Sequence, residues 1–188
     1  LSFYNPPSPP FFSVFFQSFG IEYVQENSLM VKKSDVIFVC VKPNLVQHVL
    51  RECAGVLANK LVVSIAAGVT VADLESAVPA ATRVIRVMPN TPCLAQQGCG
   101  AFSRGTKATD DDIKLFKAAF TVISPVTEEV PEPLMNAVTA LSGSGPAYVS
   151  ASSTFPYSHL ISFRLSTKFA NFHIRSWRRI TDLHLPLV

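Results

Sequence analysis

Residues 35–44 read DVIFVCVKPN. The run from Asp35 to Val41 is dominated by β-branched and aromatic side chains without polar alternation. That is the pattern of a strand covered on both faces, as in a parallel sheet. Outward from it the pattern recurs. Residues 61–66 (LVVSIA) form a second such run and residues 83–88 (RVIRVM) a third, interrupted by arginines. Residues 122–126 (VISPV) are a short, weaker fourth candidate, and Pro125 suits that one to an edge. Helical spacings fall between the runs. Leu45, Val49, Leu50 and Cys53 repeat at i, i+4, i+5 and i+8 and mark one apolar helix face. Thr70 and Asp73, ahead of Leu74 and Val78, have the spacing of a capping box. Thr109 and Asp112 repeat the device ahead of Ile113, Phe116 and Phe120, with three acids suited to a helix N-terminus. Alternating strands and helices at this spacing predict right-handed crossovers and a three-layer α/β fold with a mainly parallel sheet.

In such a sheet ligands bind beyond the C-terminal ends of the strands. Three of those ends are chemically distinctive. The first strand runs into Val41-Lys42-Pro43-Asn44, the second into Ala66-Ala67-Gly68-Val69-Thr70, the third into Met88-Pro89-Asn90-Thr91-Pro92. Small residues and glycine let a flat ring approach the backbone, prolines fix the loops, and Asn90 and Thr91 supply polar groups. One such loop would be ordinary turn chemistry; three on successive strand ends point to a binding edge.

Composition narrows the class. A chain of 188 residues is one domain with appendages, and 48% hydrophobic against 15% charged residues excludes global disorder. The excess of positive charge lies in residues 151–188, where Arg164, Lys168, Arg175, Arg178 and Arg179 face only Asp182. The rest is nearly balanced, so the basic stripe that nucleic-acid binding requires is missing from the candidate domain. Cys40, Cys53, Cys93 and Cys99 form no C-x-x-C pair and have no histidine at metal-ligand spacing. A reduced compartment fits them better than a disulfide framework, so the protein is expected in the cytoplasm, with a mitochondrial destination left open.

The two ends are different material. Residues 1–19 hold prolines at 6, 7, 9 and 10 and the short apolar run from Phe11 to Phe19, far too short to cross a bilayer. They lack the basic start and small-residue cleavage site of a signal peptide. Residues 150–188 sustain neither a helical nor a strand period. Trp177, Arg178 and Arg179 could form a basic-aromatic contact patch, but translated non-coding or frameshifted sequence is the preferred reading. The expected division is therefore an irregular flank at 1–19, a nucleotide-binding domain at 20–149 and an unrelated tail at 150–188.

The series SDVIFVCVKP, VVSIAAGVT, RVIRVMPNTP and AVTALSGSGPAY resembles pyrroline-5-carboxylate reductase in order and spacing, from about Gly20 to Val149. The resemblance implies reduction of the C=N bond of L-1-pyrroline-5-carboxylate to proline with NADP or NAD as cofactor, a small-molecule substrate, and no metal, nucleic-acid or membrane partner. Carried over by motif, Asn27 matches a contact to the adenosine side of the cofactor. Val41, Lys42 and Pro43 match residues along the cofactor between its phosphates and the nicotinamide. Ala66, Ala67 and Gly68 would lie beside the nicotinamide, and Pro92 would border the cofactor. Asn90 and Thr91 border the hydride-transfer site, and Glu132 aligns with an acid near the substrate. The stretch from Ser142 to Tyr148 would be the hinge into a helical second domain. Lys42 also fits a solvated lysine, Glu132 a loop acid and Asn27 a helix cap.

Two departures stand beside these matches. The family opens with a strand, a Gly-rich turn that holds the pyrophosphate and a helix. Nothing before Gly20 resembles that, and the spaced pair Gly98 and Gly100 has Ser103 where a third glycine belongs. The family also homo-oligomerises through a helical domain, and nothing after Val149 resembles it. The chain is thus expected to be an incomplete Rossmann-like copy, weakly active or inactive. The alternatives are an inert scaffold that binds a full-length partner, or a related dehydrogenase, which the LSGSGPAY stretch disfavours.

Overall fold

A computed structural model describes residues 18–145. The expected tail at 150–188 and nearly all of the flank at 1–19 lie outside the described residues. Along the chain run α1 (Asn27–Lys33), β1 (Val36–Val39), α2 (Pro43–Glu52), β2 (Leu61–Ser64), α3 (Val71–Ser76) and β3 (Arg83–Met88), then β4 (Cys99–Arg104), α4 (Asp110–Phe120), β5 (Val126–Glu129) and α5 (Met135–Val138). The strands stand in chain order within one sheet. β1–β2, β2–β3 and β4–β5 pair parallel, and β3–β4 pairs antiparallel. The architecture is Rossmann-like α/β with a mainly parallel sheet.

Both faces of this sheet are covered, which is why β1 to β3 read as largely apolar runs, Ser64 and the β3 arginines apart. Val62 and Val84 face one side and pack with Val31 of α1, Val46 and Leu50 of α2 and Leu74 of α3. Their neighbours Leu61, Val63, Ile85 and Val87 face the other, against Ile113, Phe116 and Phe120 of α4. Phe102 of β4 joins that second core with its ring edge-on to Phe116, 5.1 Å between centroids. Cys99 and Ala101 point the opposite way and pack with Met135 and Val138 of α5.

Four expectations need correction. Residues 122–126 are not a strand: β5 begins at Val126, where that candidate ends, because Thr121–Ser124 turn the chain out of α4. β4 was not expected at all, since its small residues CGAFSR carry little strand signal. Their smallness has a packing reason, for a Cβ on Gly100 would fall 2.8 Å from the Phe120 ring. On α2 the buried stripe is Val46, Leu50 and Cys53, and Leu45 is 42% exposed. Leu50 and Cys53 are buried as expected and Val49 is half-buried, but Val46 takes the inward place expected of Leu45. β1 and β2 also stop earlier than read, at Val39 and Ser64, so Cys40, Val41, Ile65 and Ala66 belong to the loops.

Both capping boxes form. Thr70 and Thr109 accept from the backbone N–H of Asp73 and Asp112, and each acid accepts in return from the threonine N–H. Asp112 also receives Arg83 Nε of β3 at 3.0 Å, which pins the start of α4 to the sheet. Burial pushes the Asp112 carboxyl up, but the Thr109 hydrogen bonds and Arg83 outweigh it and hold the group below its ordinary value of 3.8. The contribution to stability is therefore fully present above about pH 4 and fades as acid titrates the group through its lowered folded value. Asp112→Asn should cost about 1–3 kcal/mol at neutral pH in urea unfolding. The gap from the wild type should close on acidification; a gap that persists in acid would refute the assigned charge effect.

Candidate functional site

Each of the three distinctive loops continues a neighbouring parallel strand at its C-terminal end. Val39 is in register with Ser64, and Ser64 with Arg86. The loops holding Val41, Ala67 and Asn90 therefore leave the sheet along one edge. Three backbones deliver their polar and small residues to the same place.

In the first loop Lys42 and Pro43 are exposed and Val41 is half-buried. Pro43 opens α2 as its first residue, where the missing N–H costs nothing and the fixed φ suits a helix. In the second, Ala66 is buried and its N–H donates to Ser64 Oγ at 3.3 Å, while Ala67 and Gly68 are exposed. Gly68 has φ 78° with nothing within 4 Å of an added Cβ. Its glycine is required by backbone conformation rather than by crowding, and the surface above it is open to a flat ring. In the third, Thr91 is exposed and Pro92 buried. Asn90 is 6% exposed, and its Oδ1 accepts from Cys99 N at 2.9 Å. Asn90 thus closes the turn between β3 and β4 from inside.

Asn27 lies apart from these loops in sequence but beside the first in space. It is the first residue of α1, with Glu26 in the cap position, so it is not the helix cap. It is 4% exposed, and Nδ2 has no hydrogen-bond partner among the described residues. Together with Val39, Cys40 and Val41 it lines a cavity of about 80 Å³. An orphaned amide donor costs free energy unless a ligand or water satisfies it. That observation fits a polar cofactor group at the end of β1. The described residues contain no G-x-G-x-x-G turn to hold a pyrophosphate, so the fit to a dinucleotide is partial. Gly98 and Gly100 sit at and within β4 against Cys93 and Phe120, which is not a phosphate-binding position.

Glu132 reaches the edge from the far end of the described chain. Its Oε1 accepts from Arg86 Nη1 at 2.5 Å and from Val71 N at 3.2 Å, and its buried Oε2 has no partner among the described residues. Sequence reasoning missed Arg86, although a charge inside an otherwise apolar strand was the available signal. The stretch expected to be a hinge, Ser142 to Tyr148, starts inside a π turn at Thr139–Gly143, and a Cβ on Gly143 would fall 2.5 Å from Met88 Cε. The rest of the expected hinge, residues 146–148, lies outside the described residues. No cluster of histidine, cysteine or acids able to hold a metal occurs among the described residues. No described helix is long and apolar enough to cross a membrane.

A family model described as NADP oxidoreductase coenzyme F420-dependent matches residues 4–68. A pyrroline-5-carboxylate reductase of Methanosarcina acetivorans is 38% identical over 141 residues, 74% of this chain and 52% of that protein. The human pyrroline-5-carboxylate reductase 2 is 43% identical over 133 residues, 69% of this chain and 41% of the other. The chain spans about half the length of the curated relatives it matches. Among solved structures, the Plasmodium falciparum pyrroline carboxylate reductase with NADP bound superposes with TM-score 0.71 at 25% identity, covering 97% of this chain and 64% of that one. A Coxiella burnetii pyrroline-5-carboxylate reductase shares the fold at TM-score 0.76 and 24% identity, covering 96% and 67%.

The loop chemistry yields a stability test. Asn90→Ala leaves the buried Cys99 N–H without its acceptor and should lower stability by about 1–3 kcal/mol. Thr91→Ala, at the exposed neighbour, should change it by less than about 0.5 kcal/mol. Equal urea midpoints for the two variants would show that the Asn90 side chain does not hold the turn.

Proposed function

We propose, from the kinship of this chain with the pyrroline-5-carboxylate reductases, that its residues form the nucleotide-binding part of an enzyme that reduces L-1-pyrroline-5-carboxylate to L-proline with NADPH or NADH. The observation that carries the reading is the meeting of three loops of that family, V-K-P, A-A-G-V-T and M-P-N-T-P, at one edge of a parallel sheet. The nicotinamide, when bound, supplies the hydride to the imine carbon.

This chain's own residues bind and orient. Asn27 offers its free Nδ2 to the adenosine side, and Val41, Lys42 and Pro43 follow the cofactor toward its reactive end. Ala66, Ala67 and Gly68 let the flat ring lie against backbone, with Pro92 bordering it. Asn90 and Thr91 border the substrate. Asn90 Oδ1 is already engaged by Cys99, so Thr91 is the freer of the two. Glu132 Oε1 is engaged by Arg86 and Val71, and the buried Oε2, without a partner among the described residues, is the atom left to meet a substrate group. The partner reading is a small-molecule substrate and self-association through a further helical domain, with a cytoplasmic location.

The second reading is an inert Rossmann-like piece that binds a full-length partner. It is favoured by the lack of a G-x-G-x-x-G turn within residues 1–188. Charge-assisted hydrogen bonds are worth roughly 1.5–3 kcal/mol each, so two fewer at the pyrophosphate weaken binding by about two to four powers of ten. Residues 1–188 should therefore bind NADPH and NADH weakly in a fluorescence titration and turn over pyrroline-5-carboxylate negligibly. Lys42→Ala should weaken NADPH binding further, by about threefold to tenfold. Turnover near that of a complete relative would overturn the account of the missing elements. Failure of either nucleotide to bind even at millimolar concentration would overturn the nucleotide reading itself.

A further inference from the structure

We propose that Glu132 is a positioning residue that ties the Ala66–Thr70 loop to the segment entering the hinge, so that loop, hinge and the end of β3 hold one arrangement. The starting point is Arg86. It lies mid-sheet, in register with Ser64 on one side and Ser103 on the other, and its side chain is 3% exposed. A guanidinium withdrawn from water is unfavourable unless a carboxylate meets it. Glu132, 46 residues downstream, does so.

The same oxygen does a second thing. Val71 N is one of the first N–H groups of α3, which have no partner within the helix. The Thr70–Asp73 capping box satisfies the N–H groups of Thr70 and Asp73, and it leaves that of Val71 to Glu132. The carboxylate thus clamps the exit of the loop that carries Ala66, Ala67 and Gly68. The charge of Arg86 also reaches Asp73, whose carboxyl is held low mainly by the Thr70 hydrogen bonds, with Arg86 adding to them.

Beyond Glu132 the chain makes a 3-10 turn (Glu132–Leu134), then α5 and the π turn. That segment is fixed at both ends to one strand. Glu132 is held by Arg86, and Gly143 packs on Met88 two residues further along β3. This segment also packs on β4 through Met135 and Val138, but its direct link to the Ala66–Thr70 loop runs through the Glu132 carboxylate.

The inference rests on the proposed function only where nucleotide binding is read. Three chains are compared by amide exchange, urea unfolding and NADPH titration: wild type, the Arg86→Met/Glu132→Leu double variant, and Glu132→Asp. Apolar replacement of both charges is expected to keep or raise the urea midpoint, since buried ion pairs are often dispensable for stability. Leu cannot accept from Val71 N, so amides of residues 71–77 should exchange at least tenfold faster and NADPH affinity should fall about tenfold. Should the double variant not fold, Glu132→Asp decides: one methylene shorter, it cannot reach Arg86 and Val71 together. Faster exchange confined to 71–77 and 132–143 is expected. Wild-type exchange in 71–77 for the double variant, or a uniform rise across the sheet for Glu132→Asp, overturns the proposal. If the wild type binds no nucleotide, the functional reading fails and the exchange arm still decides the positioning.

Discussion

Helices on both faces keep water from the middle of β2 and β3, with β1 half-buried at Val36 and Phe38, and the remaining features follow from that. Inside the sheet, polar backbone is satisfied by the ladder and most side chains are apolar. Val62, Val63, Val84 and Ile85 are fully buried. Chemistry can occur only where the strands stop. Because β1, β2 and β3 run parallel in register, all three stop on the same side. A single architectural fact thus gathers Val41, Ala67 and Asn90, which are about 25 residues apart along the chain.

The same burial makes Arg86 the exception that organises its surroundings. A charge in the middle strand cannot remain alone in a medium of low dielectric, so a carboxylate must be brought to it. The chain beyond β5 supplies one at Glu132 and is fixed in place by doing so. Other charge pairs on the molecule work differently. Arg104 with Glu129 and Asp110 is more open to water, and screening limits what such pairs contribute. Arg83 with Asp112 stands between, joining strand to helix where both also need a cap.

Much of this was legible in the sequence, for reasons that are local. An apolar run of β-branched residues specifies a covered strand wherever it sits, and β3 keeps the boundaries read for it, Arg83–Met88. Thr70 with Asp73 and Thr109 with Asp112 specify helix starts, because the bonds that cap a helix lie within four residues. The Ala67–Gly68 turn likewise announces itself, since only glycine accepts φ 78° without strain. Family motifs then attached chemical roles to those loops.

What the sequence could not settle depended on distant partners. β4 has little strand propensity of its own and exists because β3 and β5 flank it, with Gly100 giving way to the Phe120 ring. Which stripe of α2 faces inward turned on packing against the sheet, so Val46 replaced Leu45. Asn27 could be named but not understood, because its unpartnered amide is visible only once β1 closes over it. Glu132, between two prolines, read either as an acid near the substrate or as a loop acid, and nothing nearby in sequence reveals the guanidinium 46 residues away that engages it. The sequence by itself determined the covered strands, the capped helices and the three loops, since those rest on backbone sterics and neighbouring residues. Tertiary structure alone decided the partners, because a buried charge or amide is satisfied by whatever the fold brings within about 3 Å of it.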